Sequence, residues 1–401
     1  MRLYFDYAAS TPVDPRVEKA MRPYFSEKPG NAGSLHYFGQ EALAVVDRSR
    51  DSIAAAIGAD FTEIIFTGSA TEADNLALRG AFASFRRSKR NGNEKPRIII
   101  SSIEHEAVLE TAKDLEKDGA EIVYIPVDKR GIVDPEKIES FLNERTILVS
   151  IMYVNNEVGA IEPLAEISRV IKNFSDKPYA GSFFPYPLFH TDAAQAFQFL
   201  DCDVKKLGVD LMTFSSHKIY GPKGIGALYI GKNVIAGRGI SPIITGGGQE
   251  FGLRSGTENI PLIAGFARAL DITVSLRKKE SERLMGIKDY FWSRLKEIYP
   301  KARMNGPEGR EGNSPAIINV YFPDWPAEEL ISRLDMEGIA ASSGSACRTR
   351  TAEPSYVIEA MGYDSERARK SIRFSFGRPT TKKEIDLAIR RIRIILEDRR
   401  K

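Results

Sequence analysis

Short apolar runs alternate with amphipathic stretches along the first half of the chain. The runs have the length of buried strands, and several end in a small or polar residue. Between them, apolar residues recur at helical spacing, as in the stripe over residues 40–57. The pattern predicts strands over residues 64–67, 97–101, 121–125, 146–153, 188–191, 210–214 and 226–230. It predicts helices over residues 15–25, 40–57 and 163–174, and further helices after Thr71 and Glu106.

Alternation of strands with helices is typical of an α/β fold with a mostly parallel central sheet. In such sheets the ligand site lies at the carboxyl ends of the strands. We therefore expect the polar residues that end these strands to share one site. Residues 177–189, rich in aromatic residues, Pro and Gly, are expected to form an inserted loop.

The pattern changes after three consecutive glycines at residues 246–248. Two long helices are predicted over 259–278 and 282–299, followed by strands over 316–322 and 371–376, a helix over 327–336 and a final amphipathic helix. We interpret this part as a smaller α+β domain. The predicted division gives a large domain over 15–258 and a small domain formed by 1–14 and 259–401.

Composition excludes several classes of protein. The 401 residues are 42% hydrophobic and 28% charged, as in a soluble globular protein, and the net charge of +3 gives no support for nucleic-acid binding. No apolar run is long enough for a membrane span, so no membrane association is expected. Two cysteines do not form a disulfide framework, which favours a reducing, cytoplasmic location. The four histidines show no metal-ligand spacing.

One lysine stands at the exit of a predicted buried strand. Ser215, His217 and Lys218 precede a turn rich in Gly and Pro. Partial desolvation there would favour the neutral amine of Lys218, which can form a Schiff base with an aldehyde. The alternative is a surface lysine in a β-turn.

Two further strand ends carry candidate binding groups. Ser69 and Glu72 fit a capping box at a helix start, where free amides and hydroxyls can also bind phosphate. Asp192 ends another strand and needs a partner if buried, such as a protonated pyridine nitrogen. The alternatives are an ordinary helix cap at each position.

His105 and Asn156 also follow predicted strands. His105 could stack on a flat ring and transfer protons near neutral pH, and Asn156 could donate to a ring hydroxyl. A structural histidine and a polar turn are the alternatives. Arg373 interrupts an apolar strand, where its guanidinium could bind an amino-acid carboxylate or form an internal salt bridge.

The two cysteines differ in their surroundings. Cys347 lies in a Ser/Gly-rich stretch followed by Arg348 and Arg350, which predicts an exposed thiol with a favoured thiolate. Cys202 stands between Asp201 and Asp203, where a thiolate is disfavoured, and is interpreted as structural.

In combination, these motifs resemble the pyridoxal-phosphate-dependent cysteine desulfurases, which supply sulfur for iron–sulfur clusters and thiolated tRNA. The resemblance extends from residues 4–9 to the last helix, and rests mainly on residues 215–229, 246–257 and 342–347. The cysteine loop is similar to that of the longer-loop class. The resemblance implies an aminotransferase-like fold (fold type I), a homodimer, and conversion of L-cysteine to L-alanine with a persulfide on Cys347 that passes to an acceptor protein, either a cluster scaffold or a sulfur carrier.

The resemblance also implies a role for individual residues. Lys218 carries pyridoxal phosphate as a Schiff base and moves the α-proton, and His105 stacks on the ring. Arg373 binds the substrate carboxylate, and Asn156 is a further substrate-binding residue. The phosphate is bound by Ala70, Thr71, Ser215 and His217, together with Thr257 from the second subunit. Asp192 pairs with the pyridine nitrogen, and Gln195 and Asn156 contact the ring oxygen. A selenocysteine lyase or β-lyase, or a sulfur carrier of low turnover, are the alternatives.

Overall fold

The computed structural model describes residues 1–87, 95–175, 187–344 and 354–398. The strands are β1 (Leu3–Tyr4), β2 (Ile64–Thr67), β3 (Arg97–Ser101), β4 (Glu121–Ile125), β5 (Thr146–Ser150), β6 (Leu188–Asp192), β7 (Leu211–Ser215), β8 (Gly226–Ile230), β9 (Arg303–Asn305), β10 (Ile317–Tyr321), β11 (Ile339–Ala340) and β12 (Ser371–Ser375). The helices are α1 (Pro15–Met21), α2 (Pro23–Ser26), α3 (Tyr37–Ala56), α4 (Ala70–Arg87), α5 (Glu106–Lys117), α6 (Pro135–Ile138), α7 (Leu164–Ser175), α8 (Val204–Leu207), α9 (Lys232–Ala236), α10 (Ile260–Ile298), α11 (Ala327–Met336), α12 (Tyr356–Ala360), α13 (Ser365–Arg369) and α14 (Lys382–Asp398).

The main sheet has the order β2-β8-β7-β6-β5-β3-β4 within the described residues. Neighbouring strands from β7 to β4 are parallel, whereas β8 runs antiparallel to both β7 and β2. The predicted α/β class with a mostly parallel sheet is confirmed. All residues of β5, β6 and β7 are buried, as expected for strands covered on both faces.

The predicted strands of the main sheet are confirmed, with small changes at their ends. Strand β5 ends at Ser150 rather than at residue 153, and the last residues of β6 and β7 are Asp192 and Ser215. The expected loop over 177–189 lies largely outside the described residues, and β6 begins at Leu188. Two short strands, β9 and β11, have no clear signal in the sequence because each is at most three residues long.

Two helix predictions are wrong. Residues 259–278 and 282–299 form one 39-residue helix, α10, rather than two helices. The polar residues between them include no Gly or Pro, and Glu280 pairs with Arg283 along the helix. The helix predicted over 15–25 is divided at Arg22 into α1 and α2. Pro23 opens α2, and it has no N–H with which to continue the first helix.

Helix α10 packs against two separate groups of apolar side chains. Ile263, Phe266 and Leu270 belong to the core between the main sheet and α3, whereas Leu284 and Phe291 belong to the core around β10, β12 and α14. The predicted domain division at residue 258 stays a prediction. Within the described residues, no helix is both long enough and apolar enough to cross a membrane.

The N-terminal segment connects the second core to the main sheet. Strand β1 pairs in parallel with β11, and Leu3 and Phe5 are buried in the core around β10 and β12. After Asp6, which bridges to Ser375, the chain leaves this core and reaches the end of β7.

A buried ion pair joins α3 to the loop that precedes α10. The Arg50 side chain is 5% exposed, and its Nη1 and Nη2 donate to the Glu250 carboxylate at 2.7 and 2.8 Å. Glu250 also accepts from the Phe66 amide of β2 at 2.9 Å. The loop that leads to Thr257 is thereby held against the strand that leads into α4.

We predict that Arg50→Met destabilises the protein by about 3–5 kcal/mol, because it leaves the Glu250 carboxylate buried and unpaired. Urea unfolding measures this loss. As a control, Arg22→Met breaks an exposed ion pair with Glu18 and should cost less than about 1 kcal/mol. Equal effects of the two substitutions would contradict the role given to the buried pair.

Candidate active site

A cavity of about 230 Å³ lies at the carboxyl ends of the main-sheet strands, beside the N-terminal segment. Its lining is formed by Ala8, Ala9, Ser69, Ala70, Thr71, Asp74, His105, Met152, Val154, Asn156, Asp192, Ala194, Gln195, Ser215, His217, Lys218 and Arg373. The expectation that polar strand ends share one site is therefore confirmed.

The Lys218 amine is held by backbone carbonyls. Lys218 follows β7 in a single 3₁₀ turn, Ser216–Lys218, and its Nζ donates to the carbonyl oxygens of Ala8 at 2.6 Å and Ala9 at 2.9 Å. Both acceptors come from a segment about two hundred residues away in sequence. The amine therefore has a fixed position in the cavity.

The turn after Lys218 adopts a strained conformation. Tyr220 has φ of 66°, which is uncommon for a bulky side chain. Its amide donates to Thr11 Oγ1 at 2.7 Å, and its hydroxyl accepts from the Arg378 amide at 2.6 Å. These bonds from both ends of the chain fix the turn that positions Lys218.

Asp192 is a buried acid at the end of β6. It is 6% exposed, and its Oδ1 accepts from the Ala194 amide at 2.8 Å. Burial raises the pKa of Asp192, whereas nearby His105 and Lys218 oppose this change. A cation that enters the cavity beside Asp192 would favour its ionised form.

His105 is the N-cap of α5 as well as a cavity residue. Its Nδ1 accepts from the Ala107 amide at 3.1 Å, so the neutral ring carries its proton on Nε2. Burial lowers the pKa of His105, which Asp192 partly counteracts. His105 therefore presents a neutral ring with an N–H donor.

The start of α4 forms one end of the cavity. Ser69 Oγ accepts from the Glu72 amide at 3.1 Å, but the Glu72 carboxylate binds the Gly68 amide at 2.8 Å rather than that of Ser69. The predicted capping box is thus only half formed. Gly226 permits the close approach of β8, since a Cβ there would lie 2.9 Å from the Ala70 nitrogen.

Hydroxyl and imidazole groups face this helix start. Ser215 and His217 line the same cavity as Ala70 and Thr71. Burial is the main cause that lowers the pKa of His217 to about 4, and the Lys218 charge adds to it. His217 is therefore neutral at physiological pH.

Two amide side chains complete the polar lining. Gln195 Nε2 donates to the Ala8 carbonyl at 2.9 Å, next to the Lys218 amine. Asn156 is 7% exposed, and its Oδ1 is buried with no hydrogen-bond partner in the described part of the chain. This side-chain oxygen is therefore available to a hydrogen-bond donor on a ligand.

Arg373 lines the cavity from β12, which belongs to the three-stranded sheet rather than to the main sheet. It is 1% exposed, its Nη1 donates to the Asn156 carbonyl at 2.8 Å, and its Nη2 donates to Asp6 Oδ1 at 2.9 Å. The internal salt bridge considered for Arg373 is therefore present. Its Nε remains without a partner within the described ranges.

Among the described residues that the sequence predicts for the site, one does not line this cavity. Thr257 is exposed and lines a separate cleft with Gly68 and Arg254. Cys347 lies outside the described residues, as do Arg348 and Arg350. The other cysteine, Cys202, is a free thiol with no exposed surface, and burial raises its pKa to about 12, as expected for a structural cysteine.

The sequence patterns assigned no role to several cavity residues. Ala8 and Ala9 act through backbone carbonyls, which have no signature in the sequence. Asp74 is a fully buried acid on α4, 3.6 Å from His190 Nε2, and burial raises its pKa well above the usual range, with Asp192 adding to the effect. The sequence does contain a sign of this buried acid, because Asp74 lies between the apolar residues Ala73 and Leu76 on the buried face of α4.

Comparison with known proteins identifies the family. The class-V aminotransferase family matches residues 3–387. A cysteine desulfurase named IscS from Dictyoglomus turgidum is 42% identical over 396 residues, which cover 98% of this chain and 94% of that protein. The chain belongs to the class-V aminotransferases, and within them to the cysteine desulfurases.

Solved structures agree with this assignment. A NifS-like protein superimposes with a TM-score of 0.88 at 37% identity, over 99% of this chain and all of that one. SspA in complex with cysteine gives a TM-score of 0.76 at 34% identity, over 94% of this chain and 99% of that one. Both class-V aminotransferases and cysteine desulfurases depend on pyridoxal phosphate.

The residues of the cavity fit this cofactor. The Lys218 amine can bind an aldehyde, and the buried acid Asp192 can pair with a pyridine nitrogen. The helix start at Ala70 can bind a phosphate. The unpartnered oxygen of Asn156 adds a polar group that a ligand can contact. At the start of α4, the close packing around Gly226 leaves no room for a side chain at that position.

We predict that His105→Ala lowers the free energy of unfolding by about 0.5–2 kcal/mol, because α5 loses its N-cap. His105→Asn should restore most of this loss, since Asn is a good N-cap. Both substitutions remove the ring from the cavity, so both should lower the rate of alanine formation. Urea unfolding and an alanine assay separate the two roles, and full activity in His105→Asn would contradict a role for the ring.

Proposed function

We propose that this protein transfers the sulfur atom of L-cysteine to Cys347 and releases L-alanine, with pyridoxal phosphate as its cofactor. The observation that carries the proposal is that one cavity brings together an amine, a buried acid and a guanidinium, from Lys218, Asp192 and Arg373. An amine for the aldehyde, an anion for the ring nitrogen and a cation for the substrate carboxylate are the groups that the reaction needs.

Bound at this site, pyridoxal phosphate would supply an aldehyde and a ring that accepts electrons. Lys218 would hold the aldehyde, Asp192 the ring nitrogen, and His105 one ring face. Ala70, Thr71, Ser215 and His217 would bind the phosphate, and Gln195 and Asn156 the ring oxygen. Because His217 is neutral, it can donate one hydrogen bond to a phosphate oxygen. It would not neutralise the negative charge of the phosphate, which is left to other groups.

Lys218 is the best-placed group for proton transfer. Its Nζ is held inside the cavity by two backbone carbonyls, so the amine would stay among the groups that surround a bound substrate. His105 is poorly suited to take this proton because its Nδ1 already accepts a hydrogen bond. We therefore assign the α-proton to Lys218 Nζ.

Arg373 would bind the substrate carboxylate and Cys347 would receive the sulfur. The Nε of Arg373 is unpartnered among the described side chains, which supports a further acceptor at this guanidinium. Ser342 and Arg373 exchange backbone hydrogen bonds at 3.1 and 2.7 Å. Cys347 follows Ser342 by five residues, which span at most about 18 Å, so its thiol is within reach of a substrate at Arg373.

The sulfur transfer is balanced without a further reactant. The Cys347 thiolate forms a bond to the substrate sulfur, the substrate C–S bond breaks, and a proton completes L-alanine. Cys347 is left as a persulfide, which we propose passes to an acceptor protein, either a cluster scaffold or a sulfur carrier. We further propose a cytoplasmic homodimer in which exposed Thr257 enters the partner's cavity.

We predict that Cys347→Ser binds the cofactor but forms no persulfide and almost no alanine from L-cysteine. Intact-mass measurement after incubation with L-cysteine detects the added sulfur, and an amino-acid assay detects alanine. Cys202→Ser is the matched control and should keep both products, because the Cys202 thiol is buried. Sulfide release by Cys347→Ser, with pyruvate and ammonia formed in place of alanine, would instead favour a β-lyase.

We predict that Lys218→Ala loses the covalent link to pyridoxal phosphate and at least about 100-fold in rate, the lower range for a positioned acid–base group. Borohydride reduction followed by mass spectrometry measures the link. Lys223→Ala, in the exposed part of the same turn, should retain both. A link that survives in Lys218→Ala would show that another amine holds the aldehyde.

A further inference from the structure

The segment from Asp6 to Thr11, the N-terminal arm, contacts both cations of the cavity. Ala8 and Ala9 accept hydrogen bonds from Lys218, and Asp6 accepts one from Arg373. The arm is held in place by a bond from the Ala8 amide to Ser375 Oγ at 2.9 Å. The position of Asp6 is therefore determined by the backbone on both sides of it.

The Arg373 guanidinium already has a carboxylate partner within the chain. The Nη2 to Asp6 Oδ1 distance is 2.9 Å, and the Arg373 side chain is 2% exposed whereas that of Asp6 is 20% exposed. Asn156 provides only a neutral carbonyl at Nη1. Asp6 is thus the anion in direct contact with this buried cation.

A buried cation that serves two carboxylates attracts each of them less strongly. A substrate carboxylate at Arg373 would lie close to the Asp6 carboxylate, in surroundings where water screens the repulsion poorly. Without Asp6, however, the cation would be buried with no anion before substrate binds, which is costly. Asp6 therefore stabilises Arg373 when no substrate is bound and weakens the binding of a substrate carboxylate to it.

We propose that Asp6 is a positioning residue that limits the affinity of Arg373 for the α-carboxylate of the substrate and product. This inference rests on the proposed function, because it uses Arg373 as the carboxylate site. Asp6 acts through Arg373, because the Asp6 carboxylate and the bound amino acid would share one guanidinium. The consequence is faster release of L-alanine at the expense of weaker binding of L-cysteine.

The test is Asp6→Asn in the holoenzyme, since the amide keeps an oxygen that accepts from Arg373 Nη2 but removes the negative charge. The dissociation constant of L-alanine, followed by the cofactor spectrum, should fall at least about fivefold, the lower end of typical coupling between sites. Ethylamine, which has the amine but no carboxylate, should bind as it does to the parent protein. The KM for L-cysteine should fall while kcat does not rise.

Glu18→Gln is the matched control, because it removes one carboxylate from an exposed position on α1. It should leave the L-alanine constant unchanged. Unchanged or weaker L-alanine binding by Asp6→Asn, or equal tightening for ethylamine, would overturn the inference. A parent protein that forms no alanine from L-cysteine would refute the proposed function, whereas an active parent with an unaffected Asp6→Asn variant would refute this inference alone.

Discussion

Burial of charge at the end of the main sheet is the constraint on which the site depends. Asp192 and Arg373 are buried and Lys218 is half-buried, so each needs a partner. The chain supplies these partners unevenly: carbonyl oxygens for Lys218, one backbone amide for Asp192 and a carboxylate for Arg373. The single amide that binds Asp192 compensates only partly for the loss of water around its carboxylate, so burial raises the pKa of Asp192. A cationic ring nitrogen would supply the missing positive charge.

Most of the main sheet could be predicted from the sequence because its strands are continuous apolar runs bounded by polar residues. The same rule located Lys218, Asp192 and His105, since the carboxyl ends of parallel strands meet at one edge. The rule fails where a long-range contact involves only the backbone. Ala8 and Ala9 reach Lys218 through carbonyl groups, and no residue type marks such a contact. Helix α10 was divided wrongly because its polar middle resembles a loop although it contains no helix breaker.

Local structure also restricts chemistry that residue type alone would allow. A histidine near neutral pH can act as an acid or a base, and the sequence favours neither. At His105 the choice is limited by the helix, because the Ala107 amide occupies Nδ1 and leaves Nε2–H as the group that can donate. The same ring thus stabilises α5 and contacts the cavity. Substitutions at this position therefore combine two effects unless the replacement preserves the cap.

The N-terminal arm gives the two halves of the site a common support. Arg373 belongs to β12, whose core includes α14, and Lys218 belongs to the end of the main sheet. The arm lies between them and binds both, and Ser342, which precedes the cysteine segment, pairs with the Arg373 backbone. A shift of β12 would therefore move the Arg373 guanidinium and Ser342 together. Because the arm carbonyls bind the Lys218 amine and Asp6 binds Arg373, the distance between the Lys218 amine and the Arg373 guanidinium depends on the turn formed by a few residues of the arm.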